Sequence, residues 1–152
     1  TVLEKKHCKY IPFYKDELAV IAPDTPEYRI LKEQNRDDID WIKRKPLILR
    51  EEGSGTRKEA EKQLKNAGIS MEDLDIVASI ANQETIKKSV KQGMGITVLS
   101  RLAAEDEDGL LIFPIPGAGE GRDINLVYNK NYQMTRSADR FIRIVKEVYD
   151  IE

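Results

Sequence analysis

Residues 46–57, Pro-Leu-Ile-Leu-Arg-Glu-Glu-Gly-Ser-Gly-Thr-Arg, constrain the fold more than any other part of the chain. Leu47, Ile48 and Leu49 form a short continuous apolar run, which is typical of a strand covered on both faces. A turn bracketed by two glycines follows the run, and a charged segment with helical spacing follows the turn. The order predicts a buried strand, a tight turn and a helix in immediate succession.

The turn has the features of an anion-binding site. Gly53 and Gly55 allow the backbone to approach a ligand closely, and Ser54 and Thr56 add two hydroxyl groups. The first N–H groups of a helix lack internal partners, and the aligned peptide dipoles place partial positive charge at that end. A carboxylate, sulfate or phosphate is therefore the expected ligand of these four residues.

The same residue types also cap helices that bind nothing. Thr56 and Glu59 match the Ser/Thr-x-x-Glu capping box, which would engage the Thr56 hydroxyl and place a carboxylate where the anion would sit. If Ser54 is the cap instead, Thr56 is more available to a ligand. The sequence is compatible with both starts of the helix.

Composition excludes several classes of protein. A chain of 152 residues with a formal net charge of -2 has no basic stripe of the kind that neutralises a nucleic-acid backbone. No apolar stretch approaches the roughly 20 residues that a membrane-spanning helix needs. The single Cys8 cannot form an internal disulfide, and the first residues lack the apolar core of a secretion signal. We therefore expect a cytoplasmic protein without membrane contact.

The motifs of common enzyme classes are missing. His7 is the only histidine and is far in sequence from Ser54, so a Ser-His-Asp hydrolase is disfavoured. A nucleophile elbow needs glycine where Glu52 stands, and a dinucleotide fingerprint needs a small residue where Lys58 stands. One histidine and one adjacent cysteine, Cys8, do not make a zinc site. The prediction is a protein without catalytic residues, cofactor or metal, and not an enzyme.

Strands alternate with helices through the middle of the chain. Residues 47–49, 76–80 and 95–99 are predicted strands, and helical spacing follows the first two of them. Residues 17–21 are a further predicted strand, which precedes the first chain crossing. Parallel strands need long crossover connections, so this alternation predicts a parallel α/β unit with right-handed crossovers.

Ligands of such sheets bind beyond the carboxyl ends of the strands. The loops at residues 50–56 and 80–83 and the segment starting at Ser100 should therefore lie together. Asn82 and Gln83 become candidate ligand contacts beside the anion turn. For Asn82 and Ser100, simple helix capping is the alternative interpretation.

Two chain crossings predict two lobes. The first crossing is expected near Ala22, where two prolines follow a strand, and the second in the glycine-rich segment 114–122. On this basis residues 1–22 and 123–152 form one lobe and residues 23–122 form the other. Two lobes joined in this way describe a clamp that closes around a small molecule. From residue 135 on, helical spacing predicts a closing helix with one apolar face, which must pack on something. This face comprises Phe141, Ile144, Val145, Val148 and Tyr149.

Several stretches together resemble the effector-binding domain of LysR-type transcriptional regulators. The first is the strand, turn and helix start at residues 46–57. Further along are Asn-Gln-Glu-Thr-Ile-Lys at 82–87 and Gly-Met-Gly-Ile at 93–96. Phe-Tyr-Lys-Asp-Glu-Leu at 13–18 and the strand at 124–128 with the final helix also match. The resemblance covers most of the chain.

The resemblance implies the two-lobed α/β fold of periplasmic binding proteins, with the effector held between the lobes. In that family the turn after the first strand of the second lobe contacts the effector, and residues 53–56 occupy that turn here. The family also uses the loop that corresponds to residues 81–83. Residues 23–122 would then be lobe II, the effector-binding lobe.

Two parts of the complete family pattern are not expected within this chain. They are the amino-terminal winged helix-turn-helix and the opening strand and helix of lobe I, so the resemblance implies that lobe I is incomplete. DNA would be bound only through the helix-turn-helix of a parent protein. The resemblance also implies a homo-oligomer, such as a dimer.

The leading hypothesis is the regulatory domain of a LysR-type regulator that binds a small anionic metabolite and controls DNA binding or transcription through the parent protein. Arg50 and Arg57 flank the turn and could add charge-assisted hydrogen bonds, although such arginines are often surface ion-pair partners. The alternative is a solute-binding protein of a transport system for a small anion. An upstream helix-turn-helix would favour the regulator, and an upstream signal peptide would favour transport.

Overall fold

The structure is a computed structural model that describes residues 5–34, 37–119 and 121–152. The chain divides into two compact units. Unit 1 comprises Thr1–Asp16 and Gly121–Glu152, and unit 2 comprises Glu17–Glu120. Glu120, which belongs to the expected second crossing, lies outside the described residues.

Seven strands and four α-helices are found in the described residues. The strands are β1 (Cys8–Asp16), β2 (Leu18–Pro23), β3 (Pro46–Leu49), β4 (Asp75–Ser79), β5 (Ile96–Ser100), β6 (Leu110–Pro114) and β7 (Arg122–Asn129). The helices are α1 (Pro26–Gln34), α2 (Gly55–Asn66), α3 (Gln83–Lys91) and α4 (Arg136–Val148). Short 3₁₀ turns at Asp40–Arg44, Met71–Asp73 and Arg101–Ala103 connect some of them.

Unit 2 contains a five-stranded sheet with the order β4-β3-β5-β2-β6. Strand β3 is parallel to both β4 and β5, whereas β2 is antiparallel to β5 and β6. Helices α2 and α3 are the crossovers between the parallel strands, as predicted from the alternation of strands and helices. The carboxyl ends of β3, β4 and β5 therefore lie at the same edge of the sheet.

The apolar run in β3 is buried on both faces of this sheet. Leu47 and Leu49 belong to a core cluster that includes Leu64 of α2, and Ile48 belongs to a second cluster that includes Ile86 of α3. Successive strand residues point to opposite faces, so a strand covered by a helix on each side needs apolar residues at every position. The helices on both faces of the sheet therefore explain why the apolar residues of β3 are consecutive.

The first boundary between the units lies at Asp16, earlier than the crossing expected near Ala22. Strand β2 is a central strand of unit 2, and all six of its residues are buried. The chain therefore enters unit 2 before this strand, and the two prolines that indicated a crossing stand within unit 2. The second boundary lies at Gly121.

Unit 1 consists of an antiparallel pair of strands, β1 and β7, together with α4. Arg122 Nε donates to Asp16 Oδ2 at 3.0 Å between the two strands. Of the apolar face predicted for the closing helix, Val145 is buried, and Tyr149 packs edge-on against Phe13 with ring centroids 5.1 Å apart. Four residues of this face are exposed within the described residues, namely Phe141, Ile144, Val148 and Tyr149. Within unit 1 the helix therefore buries only part of its apolar face.

Candidate functional site: the amino-terminal end of helix α2

The turn between β3 and α2 is closed by its own backbone and by Ser54. The Ser54 amide donates to Glu51 O at 3.1 Å, and Gly53 has a φ of 90°, which L side chains rarely adopt. Ser54 is the N-cap of α2, and its hydroxyl accepts a hydrogen bond from the Arg57 amide at 3.4 Å. Of the two possible helix starts, the structure therefore has the one at Ser54.

The alternative capping box does not form. The Glu59 carboxylate accepts a hydrogen bond from Gln63 Nε2 at 3.0 Å, one turn further along α2. The first turn of α2 contains no acidic residue. The positive end of the helix dipole is thus not neutralised by a side chain of its own first turn.

The space above the turn is open. A Cβ atom added at Gly53 or at Gly55 would meet no atom within 4 Å. The Gly55 amide makes no hydrogen bond to another described residue, whereas the Arg57 and Lys58 amides both bond to Ser54. An exposed backbone donor, open space and partial positive charge therefore coincide at Gly55.

Arg57 is a buried residue that fixes this turn. Its side chain donates from Nη1 to Arg50 O at 3.2 Å and to Ser79 Oγ at 2.9 Å, and from Nε to Glu61 Oε1 at 3.0 Å. The residue is only 8% exposed. The guanidinium therefore joins the ends of β3 and β4 to the first turns of α2.

The β4–α3 loop lies directly beside the turn. The Ile80 amide donates to Leu49 O at 2.9 Å, so the ends of β4 and β3 are hydrogen-bonded to each other. Asn82 is the N-cap of α3, and its side-chain oxygen accepts from the Thr85 amide at 3.0 Å. Gln83 is the first residue of α3 and is half-buried. The Asn82 side-chain oxygen is therefore already used in capping.

The third loop is held by unit 2 itself. The Arg101 amide donates to Glu17 O at 2.7 Å, and Ser100 makes no side-chain capping bond to the 3₁₀ turn that follows it. Lys87, which is 6% exposed, reaches from α3 to Ala103 O at 3.1 Å and also pairs with Glu107. These contacts fasten the segment after β5 to α3.

Electrostatics near the turn are partly balanced by its own residues. Arg50 Nε lies 3.1 Å from Glu51 Oε2, and this hydrogen bond holds the pKa of the Glu51 carboxyl below its usual range. At the third loop, hydrogen bonds from Lys87 and Lys91 lower the pKa of Glu107 to about 2. The Lys87–Glu107 hydrogen bond in turn raises the pKa of Lys87. Glu51 and Glu107 are therefore each paired with a cation, whereas Glu52 of the turn is largely exposed, with its Oε1 4.0 Å from Arg57 Nη2.

No group of three or more His, Cys, Asp or Glu residues that could hold a metal ion is found in residues 5–34, 37–119 and 121–152. Within the same ranges, no helix has the length and apolarity needed to cross a membrane.

Comparison with known sequences identifies a family. The family model for the LysR substrate binding domain matches residues 2–150. The uncharacterized HTH-type transcriptional regulator MJ0300 of Methanocaldococcus jannaschii is 30% identical over 149 residues, covering 96% of this chain and 49% of MJ0300. The HTH-type transcriptional activator CmpR of Synechocystis sp. is 30% identical over 133 residues, covering 86% of this chain and 42% of CmpR. The chain thus spans about half the length of these curated relatives.

Solved structures agree with the predicted fold. The regulatory domain of CcmR from Synechocystis PCC6803, in complex with 2-PG, has a TM-score of 0.77 and 25% identity, covering 98% of this chain and 70% of that chain. The effector-binding domain of QuiR, in complex with shikimate, has a TM-score of 0.76 and 16% identity, covering 99% of this chain and 69% of that chain. The second likeness shows the fold alone. The predicted periplasmic-binding-protein-like α/β fold is confirmed, and this chain belongs to the LysR substrate-binding domain family.

Proposed function

We propose that this chain is the effector-sensing part of a LysR-type transcriptional regulator and binds a small anionic metabolite at the amino-terminal end of α2. The open Gly55 amide beneath empty space is the observation on which the proposal rests. Ser54 and Gly53 shape the turn around this donor, and Thr56 stands next to it in the first turn of α2. A carboxylate or phosphate oxygen is the group that such a helix end receives best.

Asn82 and Gln83 form the second side of the proposed site. Their loop is tied to the turn by the Ile80–Leu49 hydrogen bond and by the Arg57–Ser79 contact. The Asn82 side-chain oxygen caps α3, which leaves its NH₂ group, a donor, to face a ligand. Gln83 carries a second amide at the start of α3. Donors from two loops suit a ligand with several acceptor oxygens.

The relatives support regulation over transport. MJ0300 and CmpR are HTH-type transcriptional regulators, and the regulatory domain of CcmR is in complex with 2-PG. We propose that DNA is contacted through a helix-turn-helix of a longer parent protein and that this protein acts as a homo-oligomer. Effector binding then changes DNA binding or transcription, and no reaction is catalysed.

A matched pair of variants at Ser54 tests the site without losing the helix cap. Asn and Asp are both strong N-caps, so Ser54→Asn and Ser54→Asp should both keep α2 folded. Asp adds a negative charge where the anion is proposed to bind, and Asn does not. Isothermal titration calorimetry with 2-PG, inorganic phosphate, sulfate and small carboxylates should show at least about tenfold weaker binding to the Asp variant than to the Asn variant.

Two results would oppose the proposal. If no member of the panel binds the unmodified chain, effector binding at this turn is unsupported. If a ligand binds both variants equally well, the ligand occupies a different place.

A further inference from the structure

Helix α4 carries a continuous apolar stripe that unit 1 does not cover. Phe141, Ile144 and Val148 are 57%, 47% and 70% exposed, whereas Val145 of the same helix is buried. An α-helix turns by about 100° per residue, so the three exposed side chains share a stripe about 60° wide along two turns of the helix. Contiguous exposed apolar side chains of this kind mark a surface that binds another protein surface.

The spacing of the stripe is that of a helix-pairing seam. Phe141, Ile144 and Val148 are separated by three and four residues, as are the a, d and a positions of a heptad. Arg140 and Glu147 each precede an a position, so they are g residues and border the seam on the same side. Ion pairs made by e and g residues set the choice and the orientation of the partner helix.

The two charges that border the seam are opposite in sign and are not used within the chain. Arg140 and Glu147 are exposed and make no ion pair with a described residue. They lie about 10 Å apart along the helix axis, which is too far for them to pair with each other. Arg143 and Asp139, on the outer side of α4, pair with each other at 2.8 Å. Arg140 and Glu147 are therefore available to the surface that covers the seam.

A second copy of α4 supplies both missing partners if it packs antiparallel. A two-fold axis perpendicular to the two helices brings the g residues of both copies to one side of the contact. With the axis near the midpoint between Arg140 and Glu147, Arg140 of each copy faces Glu147 of the other copy, and Ile144 lies beside the axis. A parallel pair would instead place g residues opposite e residues. The e residue here is Val145, which is buried within unit 1.

From this pattern we infer that the exposed stripe of α4 is a self-association surface that pairs two copies of this chain antiparallel. Phe141, Ile144 and Val148 form its apolar seam, and two Arg140–Glu147 ion pairs close one side of the seam. The partner is a second copy because the charge pattern is complementary to itself under a two-fold rotation. The inference rests on the proposed homo-oligomer, to which it gives a specific interface, and it does not involve the effector site at α2.

Reversal of the two charges tests this arrangement. Arg140→Glu places like charges opposite each other twice in the dimer, and Glu147→Arg does the same. Each variant should therefore dimerise at least about tenfold more weakly than the unmodified chain. An equimolar mixture of the two variants should dimerise again, because each reversed charge then faces an opposite charge in the other chain. Sedimentation velocity between about 1 μM and 1 mM measures the dimer affinity.

Two further variants separate the seam from general charge effects. Arg143→Glu reverses a charge on the outer side of α4 and should leave the dimer affinity unchanged. Ile144→Ser removes an apolar side chain beside the two-fold axis and should weaken the dimer. All of the changed side chains are exposed, so circular dichroism should show the same helix content in every variant. Calorimetric binding of an effector at α2 should also be the same, which distinguishes failure of dimerisation from failure of the effector site.

The inference is overturned if the unmodified chain stays monomeric up to about 1 mM, or if the mixed variants dimerise no more tightly than either variant alone. A dimer that every charge variant forms equally well would also overturn it, and would assign the homo-oligomer to another surface. A longer chain of the same gene, extended upstream of Thr1, gives a third check. If its dimer does not depend on Arg140 and Glu147, the remainder of lobe I covers α4 and the inference is wrong.

Discussion

Arg57 Nη1 donates a hydrogen bond to Ser79 Oγ at 2.9 Å, across 22 positions of sequence. The same nitrogen donates to Arg50 O at 3.2 Å. One buried guanidinium therefore holds the end of β3, which leads into the anion turn, against the end of β4, which leads to Asn82 and Gln83. The position of the two loops relative to each other depends on this side chain.

The first prediction concerns that contact. Arg57→Lys should lower the free energy of unfolding by about 2 kcal/mol, because a lysine ammonium cannot reach all the acceptors that the planar guanidinium reaches. Buried acceptors are then left without a hydrogen bond. Ser79→Ala should cost about 1 kcal/mol. Urea unfolding of both variants and of the double variant measures the coupling, which should be about 0.5–1 kcal/mol. Strict additivity would contradict a direct contact between the two side chains.

The second prediction contrasts the two glycines of the turn. Gly55→Ala should leave the fold intact and raise the free energy of unfolding by about 0.5 kcal/mol, because the new Cβ meets no atom and Ala favours a helix. The same methyl group stands in the space proposed for the ligand, so effector binding should weaken.

Gly53→Ala serves as the comparison. It should destabilise the fold by roughly 1–2 kcal/mol because of the positive φ at that position. The unfolding temperatures of Gly53→Ala and Gly55→Ala, measured in parallel with that of the unmodified chain, test both expectations. A Gly55→Ala variant that is stable and binds effector normally would argue against a ligand at the Gly55 amide.

The third prediction concerns acid stability. The pKa of Glu107 is lowered to about 2 by Lys87 and Lys91, so the unfolded chain binds a proton at higher pH than the folded one. This contribution to stability is present above the unfolded pKa of about 4.3 and is lost as the pH falls through about 2. Glu107→Gln should therefore flatten the pH dependence of unfolding between these values.

Asp106→Asn, an exposed change in the same loop, is the control for this effect and should keep the original profile. Denaturant midpoints measured from pH 6 to pH 2 give the comparison, with about half a pH unit between points. If Glu107→Gln and the unmodified chain lose stability in parallel, the ion pair with Lys87 does not contribute as described.

The local sequence pattern is sufficient to predict the strand, turn and helix at 46–66 and the parallel arrangement of β3, β4 and β5. The apolar run, the glycines and the helical spacing are short-range signals, and each agrees with the final fold. The choice between Ser54 and Thr56 as the cap was not available from sequence, because both residues cap helices well. The structure decides it through the Ser54 hydroxyl and the Glu59–Gln63 contact.

Sequence patterns do not reveal features that depend on contacts between residues far apart in the chain. Arg57 looks like a surface residue in sequence, and its burial follows from Ser79 in another strand. The crossing expected near Ala22 lies later than the boundary at Asp16, because prolines after a strand indicate its end equally well inside a unit or between units.

The most direct test of the central claim follows backbone amides during effector titration. Glycine resonances are easily recognised in a ¹⁵N–¹H spectrum, and the Gly55 amide can be assigned through the Gly55→Ala variant. Titration with the ligand of the calorimetric panel that binds most tightly should shift the Gly55 amide saturably, with the same midpoint as the calorimetric curve. Saturable binding with an unmoved Gly55 resonance would contradict the claim, because the anion would then be held somewhere other than the start of α2.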